Sequence, residues 1–100
     1  MSAVVNNAAG SRFELELDDG AIAIADYRIE GDRIVFSHTV VPEAHEGQGI
    51  GSRLVVAGLD FARDKGLKVV PQCSFFAHYM AKHSETRDLL APGADEMLGV

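Results

Sequence analysis

The chain has 100 residues, of which 47% are hydrophobic, a formal net charge of -6 at pH 7 and a single cysteine. One hundred residues suffice for one domain with one core, and no apolar run approaches the length of a membrane span. The negative charge disfavours non-specific binding to nucleic acid, and a single cysteine, which excludes an internal disulfide, is typical of the reducing cytoplasm.

The first part of the chain predicts three strands after a short leader. Residues 1–10 have neither the cationic start nor the long apolar stretch of a signal peptide, and we expect them to be a loosely held leader. Phe13, Leu15 and Leu17 alternate with acidic residues, which is typical of a half-buried strand. The predicted strands cover residues 13–18, 22–30 and 33–41, joined by tight turns at 18–20 and 31–32.

The third predicted strand carries a first candidate for catalysis. Regular alternation puts Ile34, Phe36, His38 and Val40 on one face of this strand. A histidine on that face, near the strand end, is a candidate base that deprotonates an amine or a thiol. The alternative is a core histidine whose ring nitrogens are satisfied by hydrogen bonds.

Glycines at positions 47, 49 and 51 follow this strand and open a helix. They let the backbone turn tightly and expose its N–H groups, and a helix start adds unpaired amides and the positive end of the helix dipole. The pattern predicts a phosphate site made of backbone. It is not a P-loop, because Ser52 and Arg53 follow the last glycine, and the glycine spacing differs from that of a dinucleotide-binding fold. A glycine-rich turn without a ligand is the alternative.

The helix after the glycines is predicted from an apolar stripe and ends at Gly66, a residue typical of helix C-termini. Arg63 and Lys65 lie in its last turn, where the helix dipole favours cations. Residues 67–72 form a short apolar run, which is typical of a buried strand after a crossover helix. The stripe consists of Leu54, Val55, Leu59 and Ala62, with Phe61 beside it.

A second helix is predicted after this strand. Ser74 is expected to cap it, and it runs to about His83. Ser84 starts a third, short helix that Pro92 stops, and the tail of residues 93–100 is expected to be loose. The side chains of the second helix that we assign to the core are Phe75, Phe76 and Met80.

Cys73 stands between the predicted buried strand and the second helix. Helix amides stabilise a thiolate at such a position, and an activated thiolate can accept an acyl group from a thioester. The alternative is a small buried hydrophobe. His78 and His83 are five residues apart and lie on different helix faces, so with Cys73 they do not form a metal-ligand pattern.

Several short motifs occur in one order at close intervals over residues 13–90. They are the glycine loop, His38-Thr39-x-Val41-Pro42, Leu59-Asp60-x-Ala62-x-x-x-Gly66-Leu67, Val70-Pro71-x-Cys73-Ser74-Phe75 and Tyr79-x-x-x-His83. As a set they resemble the short, single-domain members of the GNAT superfamily of N-acetyltransferases. The acyl-CoA loop of that superfamily has the pattern Gln/Arg-x-x-Gly-x-Gly/Ala. Gly49 and Gly51 match it, and Glu46 stands where Gln or Arg is usual.

The resemblance implies one α/β (α+β) domain over residues 1–100, with a mixed, mostly antiparallel sheet, the element order β-β-β-α-β-α and a short C-terminal helix. It implies an acetyl-CoA-dependent N-acetyltransferase that acts on an amine acceptor. From the composition we expect a cytoplasmic protein, with no metal, nucleic acid or membrane partner. Tyr79 resembles the tyrosine that protonates the departing CoA thiolate, although packing between helix and sheet would also explain it. With Cys73 and His38 it completes the candidate catalytic residues.

The alternative function is a non-catalytic acyl-CoA-binding or protein-interaction module. The residues expected to bind CoA are Val40, Val41, Gly47, Gln48, Gly49, Ile50, Gly51, Ser52 and Arg53.

Overall fold

The computed structural model describes residues 3–99, which form a five-stranded sheet with two α-helices. The strands lie in the order β1-β2-β3-β4-β5; successive strands are antiparallel except β4 and β5, which are parallel. This mixed, mostly antiparallel sheet confirms the expected fold class. The elements are β1 (Val5–Asn7), β2 (Arg12–Glu16), β3 (Ile22–Glu30), β4 (Arg33–Val40), α1 (Ile50–Lys65), β5 (Lys68–Pro71) and α2 (Ser74–Lys82).

Both α-helices pack on one face of the sheet and bury one core. The ring of Phe36 in β4 stacks on Phe76 in α2, with centroids 3.9 Å apart. Gly58 in α1 allows the close approach, because a Cβ atom there would lie 2.9 Å from the Phe36 ring and 3.0 Å from the Phe76 ring. The stripe predicted on α1 is buried at Leu54, Val55, Leu59 and Ala62.

The two ends of the chain are more ordered than expected. Val5–Asn7, inside the predicted loose leader, pair with β2, and the Tyr27 hydroxyl donates a hydrogen bond to Asn6 Oδ1 at 2.8 Å. Ala94–Leu98, inside the predicted loose tail, form a 3-10 helix whose Leu98 is 7% exposed. Strand pairing holds the first segment and burial of Leu98 holds the second. Neither interaction produces a strong pattern in the local sequence. The parts of the two predicted segments at residues 1, 2 and 100 lie outside the described residues.

A bulge in β4 overturns the prediction for the face of His38. Tyr27 pairs with Phe36, whereas the preceding residue, Asp26, pairs with His38, so Ser37 is the extra residue. An extra residue reverses the alternation of all side chains beyond it. His38 is therefore exposed and lies beside Asp26 on the face opposite to Phe36.

Two local predictions about the second half also need correction. The N-cap of α2 is Cys73, and Ser74 is the first residue of the helix rather than its cap. The segment after α2 is a 3-10 helix, Ser84–Leu89, and not a third α-helix. The chain that follows this 3-10 helix lies beside β5, where the Ala91 N–H donates a hydrogen bond to the Val69 carbonyl at 2.9 Å.

Candidate functional site

The glycine loop presents the N-terminus of α1 to solvent. Gly47 and Gly49 have φ values of +80° and +78°, a left-handed conformation that side chains with a Cβ rarely adopt. Gly49 is the N-cap of α1 and offers no side chain to the first amides of the helix. The first turn of a helix has no intrahelical acceptors for its N–H groups, so these amides are available to an anion.

Gly51 has a different role from the other two glycines. Its φ is not positive, but a Cβ atom there would collide with the ring of Phe75. Phe75 was predicted to be a core residue, and this is wrong, because its side chain is 40% exposed. Consecutive helix positions point about 100° apart, and in α2 Phe76 faces the core whereas Phe75 points away from it. Phe75 instead covers the loop.

An open cleft of about 400 Å³ lies over the glycine loop. Its walls come from the end of β4, the loop itself, the start of α1 and the ring of Phe75. The cleft brings together most of the residues predicted to bind CoA, while Arg53 lines a neighbouring cleft with Val56. The residues that line it are Val41, His45, Glu46, Gly47, Gly49, Ile50, Gly51, Ser52 and Phe75.

Strands β4 and β5 separate at this end of the sheet. Their pairing ends at Phe36 with Pro71, after which the Cys73 N–H still donates to the Phe36 carbonyl at 3.1 Å. Strand β4 continues to Val40, which is 40% exposed. On the side of β5, the last residues of β4 therefore extend beyond the described parallel pairing, and their backbone edge faces the opening between the two strands.

Cys73 follows β5 at the point where its pairing with β4 ends, and it belongs to the buried core. Its side chain is buried, with 8% exposure, and Sγ lies 3.1 Å from Thr39 Oγ1. The residue that the structure brings to the thiol is therefore Thr39 rather than His38. Sequence reasoning missed Thr39, because the bulge at Ser37 exchanges the faces of these two neighbours.

Tyr79 lies in a second cleft, of about 430 Å³, between α1 and α2. Its ring stacks on His83 with centroids 4.0 Å apart. Ser52 and Phe75 line both clefts, so the second adjoins the first, but Tyr79 does not line the cleft over the glycine loop. The structure thus places His38 on the opposite face of the sheet from Cys73, while Tyr79 lies in the same cleft as Ser74, the neighbour of Cys73.

His45 links the glycine loop to the turn between β2 and β3. Its Nε2 atom lies 2.9 Å from Asp19 Oδ2, and its Nδ1 atom lies 3.1 Å from Gln48 Oε1. The hydrogen bond to Asp19, followed by that to Gln48, raises the pKa of His45 above its ordinary value. The same bond to His45 lowers the pKa of Asp19. Sequence reasoning assigned no role to His45.

Within residues 3–99, no group of three or more histidine, cysteine or carboxylate side chains is placed to hold a metal ion. The described helices include none that is long and apolar enough to cross a membrane.

A crossover helix between two parallel strands, opened by a glycine loop and set on a mostly antiparallel sheet, defines the fold of the GCN5-related N-acetyltransferases. The chain belongs to this family, whose model for a GCN5-related N-acetyl-transferase matches residues 12–89.

Individual proteins support the same assignment. The chain is 37% identical over 62 residues to Protein NATD1 from Gallus gallus and to that from Mus musculus, a match that covers 61% of this chain and 56% of theirs. The chain thus spans little more than half the length of these curated relatives. A GCN5-like protein from Staphylococcus aureus, solved by NMR in solution, superposes with a TM-score of 0.69 at 29% identity over 91% of each chain.

Proposed function

We propose that this protein transfers an acetyl group from acetyl-CoA to an amine. The observation that carries the proposal is the N-terminus of α1, which no side chain caps and which two left-handed glycines open to a cleft of about 400 Å³. Backbone amides at a helix start bind phosphate groups well, even in a protein with a net charge of -6.

The donor is proposed to bind along the cleft in two parts. The diphosphate is proposed to accept hydrogen bonds from the amides of residues 47–52, with Arg53 adding a positive charge in the first turn of α1. The pantetheine arm carries amide groups, which can pair with the backbone edge of β4 at Val40 and Val41 as an added strand would. This course leads the thioester into the opening between β4 and β5, towards Cys73.

Cys73 is the proposed acyl acceptor. Its thiolate attacks the thioester carbonyl, the bond to the CoA sulfur breaks, and CoA leaves as the thiol after taking the proton that Cys73 gave up. An amine then attacks the Cys73 thioester, the amide bond forms, and the amine proton returns to the Cys73 sulfur. The hydroxyl of Thr39, 3.1 Å from Sγ, can donate a hydrogen bond to the thiolate.

The donor part of the proposal is tested by titrating the purified protein with CoA in a calorimeter at low salt. Saturable heat is expected, and its absence at millimolar CoA would overturn the proposal. Mass spectrometry of the protein purified from cells, searching for retained CoA or an acetyl group on Cys73, is an independent measurement of the same point.

The transfer is tested with Cys73→Ala in assays of acetyl-CoA against a panel of amines and peptides. Loss of turnover with nearly unchanged CoA affinity is expected, because the diphosphate contacts come from another loop. Full turnover in Cys73→Ala would instead show direct attack of the amine on acetyl-CoA. CoA binding by the wild type without turnover on any acceptor would point to the non-catalytic module.

A further inference from the structure

The bridge Asp19–His45–Gln48, called the His45 bridge below, joins two segments that are distant in sequence. His45 ends the 3-10 helix Glu43–His45 just before the glycine loop, and its partner Asp19 lies 26 residues earlier. The imidazole is largely sheltered, with 14% of the side chain exposed. The Asp19 carboxylate is itself fixed, because its Oδ1 atom accepts the Ala21 N–H at 3.0 Å.

With the Gln48 amide oxygen facing the ring, the two partners of His45 favour its protonated form. An ionised carboxylate and an amide oxygen can only accept hydrogen bonds, so both ring nitrogens have to donate. Two donors on one imidazole ring mean the imidazolium form. A neutral ring keeps a single donor, and the other contact then survives only if the Gln48 amide rotates to present its NH2 group.

Gln48 is the residue through which the His45 bridge acts on the loop. It lies between the left-handed Gly47 and Gly49, the residues with the largest conformational freedom to lose when the loop is ordered. A contact that holds Gln48 in place before the ligand arrives reduces the entropy that binding has to offset. His45 also lines the cleft, where its positive charge favours a diphosphate.

The charges around His45 come from three elements. Asp18 and Asp19 belong to the turn between β2 and β3, and the coulombic effect of both raises the pKa of His45. Glu43 and Glu46 flank it in its own segment, and Arg53 is in the first turn of α1. The neighbouring carboxylates outnumber the neighbouring cation, so the surroundings favour the imidazolium.

We propose that His45 acts as a positioning residue for the glycine loop, and that acyl-CoA binds more weakly once His45 has lost its second ring proton. The effect on affinity rests on the proposed function. The His45 bridge itself does not, and it can be tested without a ligand.

The sign of the pH dependence follows from the two partners. The raised pKa of His45 means that its stabilising contribution is complete below 6.5 and is lost as the pH rises through the folded-state value. The lowered pKa of Asp19 means that its contribution is present above 3.8 and is lost as the pH falls through the folded-state value. The bridge is therefore complete between these limits and weakens as the pH rises through the folded-state pKa of His45.

The His45 bridge is tested by following the ring proton signals of His45 in the full chain by NMR as a function of pH. The pH at the midpoint of the His45 titration is expected to be lower in Asp19→Asn than in the wild type. Asp18→Asn is the matched control, because it removes the same charge from the same turn without removing the hydrogen bond. Equal midpoints in the wild type and Asp19→Asn would overturn the proposal.

The effect on the ligand is tested by calorimetric titration with CoA between pH 5.5 and 8.5 in the wild type and in His45→Gln. The 3'-phosphate of CoA also titrates, near pH 6, but equally for both proteins. At pH 5.5 the wild type is expected to bind CoA about three- to tenfold more tightly than His45→Gln. The affinities of the two proteins are expected to converge as the pH approaches 8.5. Parallel curves would overturn the positioning role. Absence of CoA binding to the wild type at every pH would instead defeat the proposed function, while the NMR midpoints would still decide the bridge.

Discussion

The starts of α1 and α2 are two helix N-termini, each reached from one of the two parallel strands, and they are built in opposite ways. Gly49, the N-cap of α1, is left-handed and exposed, and it follows a loop of several residues after β4. Cys73, the N-cap of α2, is extended and 8% exposed, and it comes two residues after β5. Neither helix has a side-chain hydrogen bond at its N-cap.

The difference separates two kinds of chemistry. The start of α1 exposes backbone to solvent and carries no reactive group, which suits the binding of a charged, hydrated diphosphate. The start of α2 shelters one thiol beside one hydroxyl, which suits a reacting atom that has to be kept from water. Substitutions that alter backbone conformation should therefore act at the first helix, and substitutions that alter functional groups should act at the second.

The largest effect is expected from Gly49→Val. A β-branched residue is strained at φ +78°, and its side chain would occupy the space of the phosphate. We expect the free energy of unfolding to fall by about 1–3 kcal/mol and CoA affinity to fall at least about a hundredfold. Denaturant unfolding and calorimetric titration measure the two quantities.

The control for this variant is Gly31→Val. Gly31 also has a left-handed φ, +64°, with open space around a Cβ atom, but it lies in the turn at the opposite end of β4. It should lose similar stability and keep its CoA affinity. If both variants bound CoA equally well, the left-handed loop would have no part in binding.

A smaller effect is expected from Thr39→Val, which acts at the start of α2. The change removes the hydroxyl 3.1 Å from Cys73 Sγ and keeps the shape of the side chain. Turnover should fall about tenfold, the effect of losing one hydrogen bond to a charged group, with CoA affinity unchanged. Thr39→Ser retains the hydroxyl and should retain turnover. Wild-type turnover in Thr39→Val would show that the hydroxyl does not assist the thiol.

The same two regions differ in how far the sequence predicts them. The glycine loop at the start of α1 could be predicted because it depends on glycine spacing and on the helix that follows, both of which are local. Strands β2 to β5 and α1 are predicted closely for the same reason, and the observed bounds Ile22–Glu30 match the predicted second strand, whereas β1 is not predicted.

The surroundings of Cys73 could not be predicted, because they depend on strand register. The extra residue Ser37 in β4 interrupts the alternation, and no glycine or proline in β4 marks the position. Thr39 therefore takes the place expected for His38. The His45 bridge is equally non-local, since it joins residues 26 apart through a contact that only the assembled sheet creates.

The smallest effect is expected from Glu46→Arg, which tests how far the backbone site at α1 depends on nearby charge. Glu46 is exposed and lines the cleft, so an arginine there should tighten CoA binding by about three- to tenfold at low salt. The gain should shrink near 1 M salt, where the screening length is only about 3 Å. Glu43→Arg, which changes the net charge equally at an exposed position that does not line the cleft, separates a local contact from a general change of field. Equal gains in both variants would mean that overall charge, and not a position beside the diphosphate, determines the response.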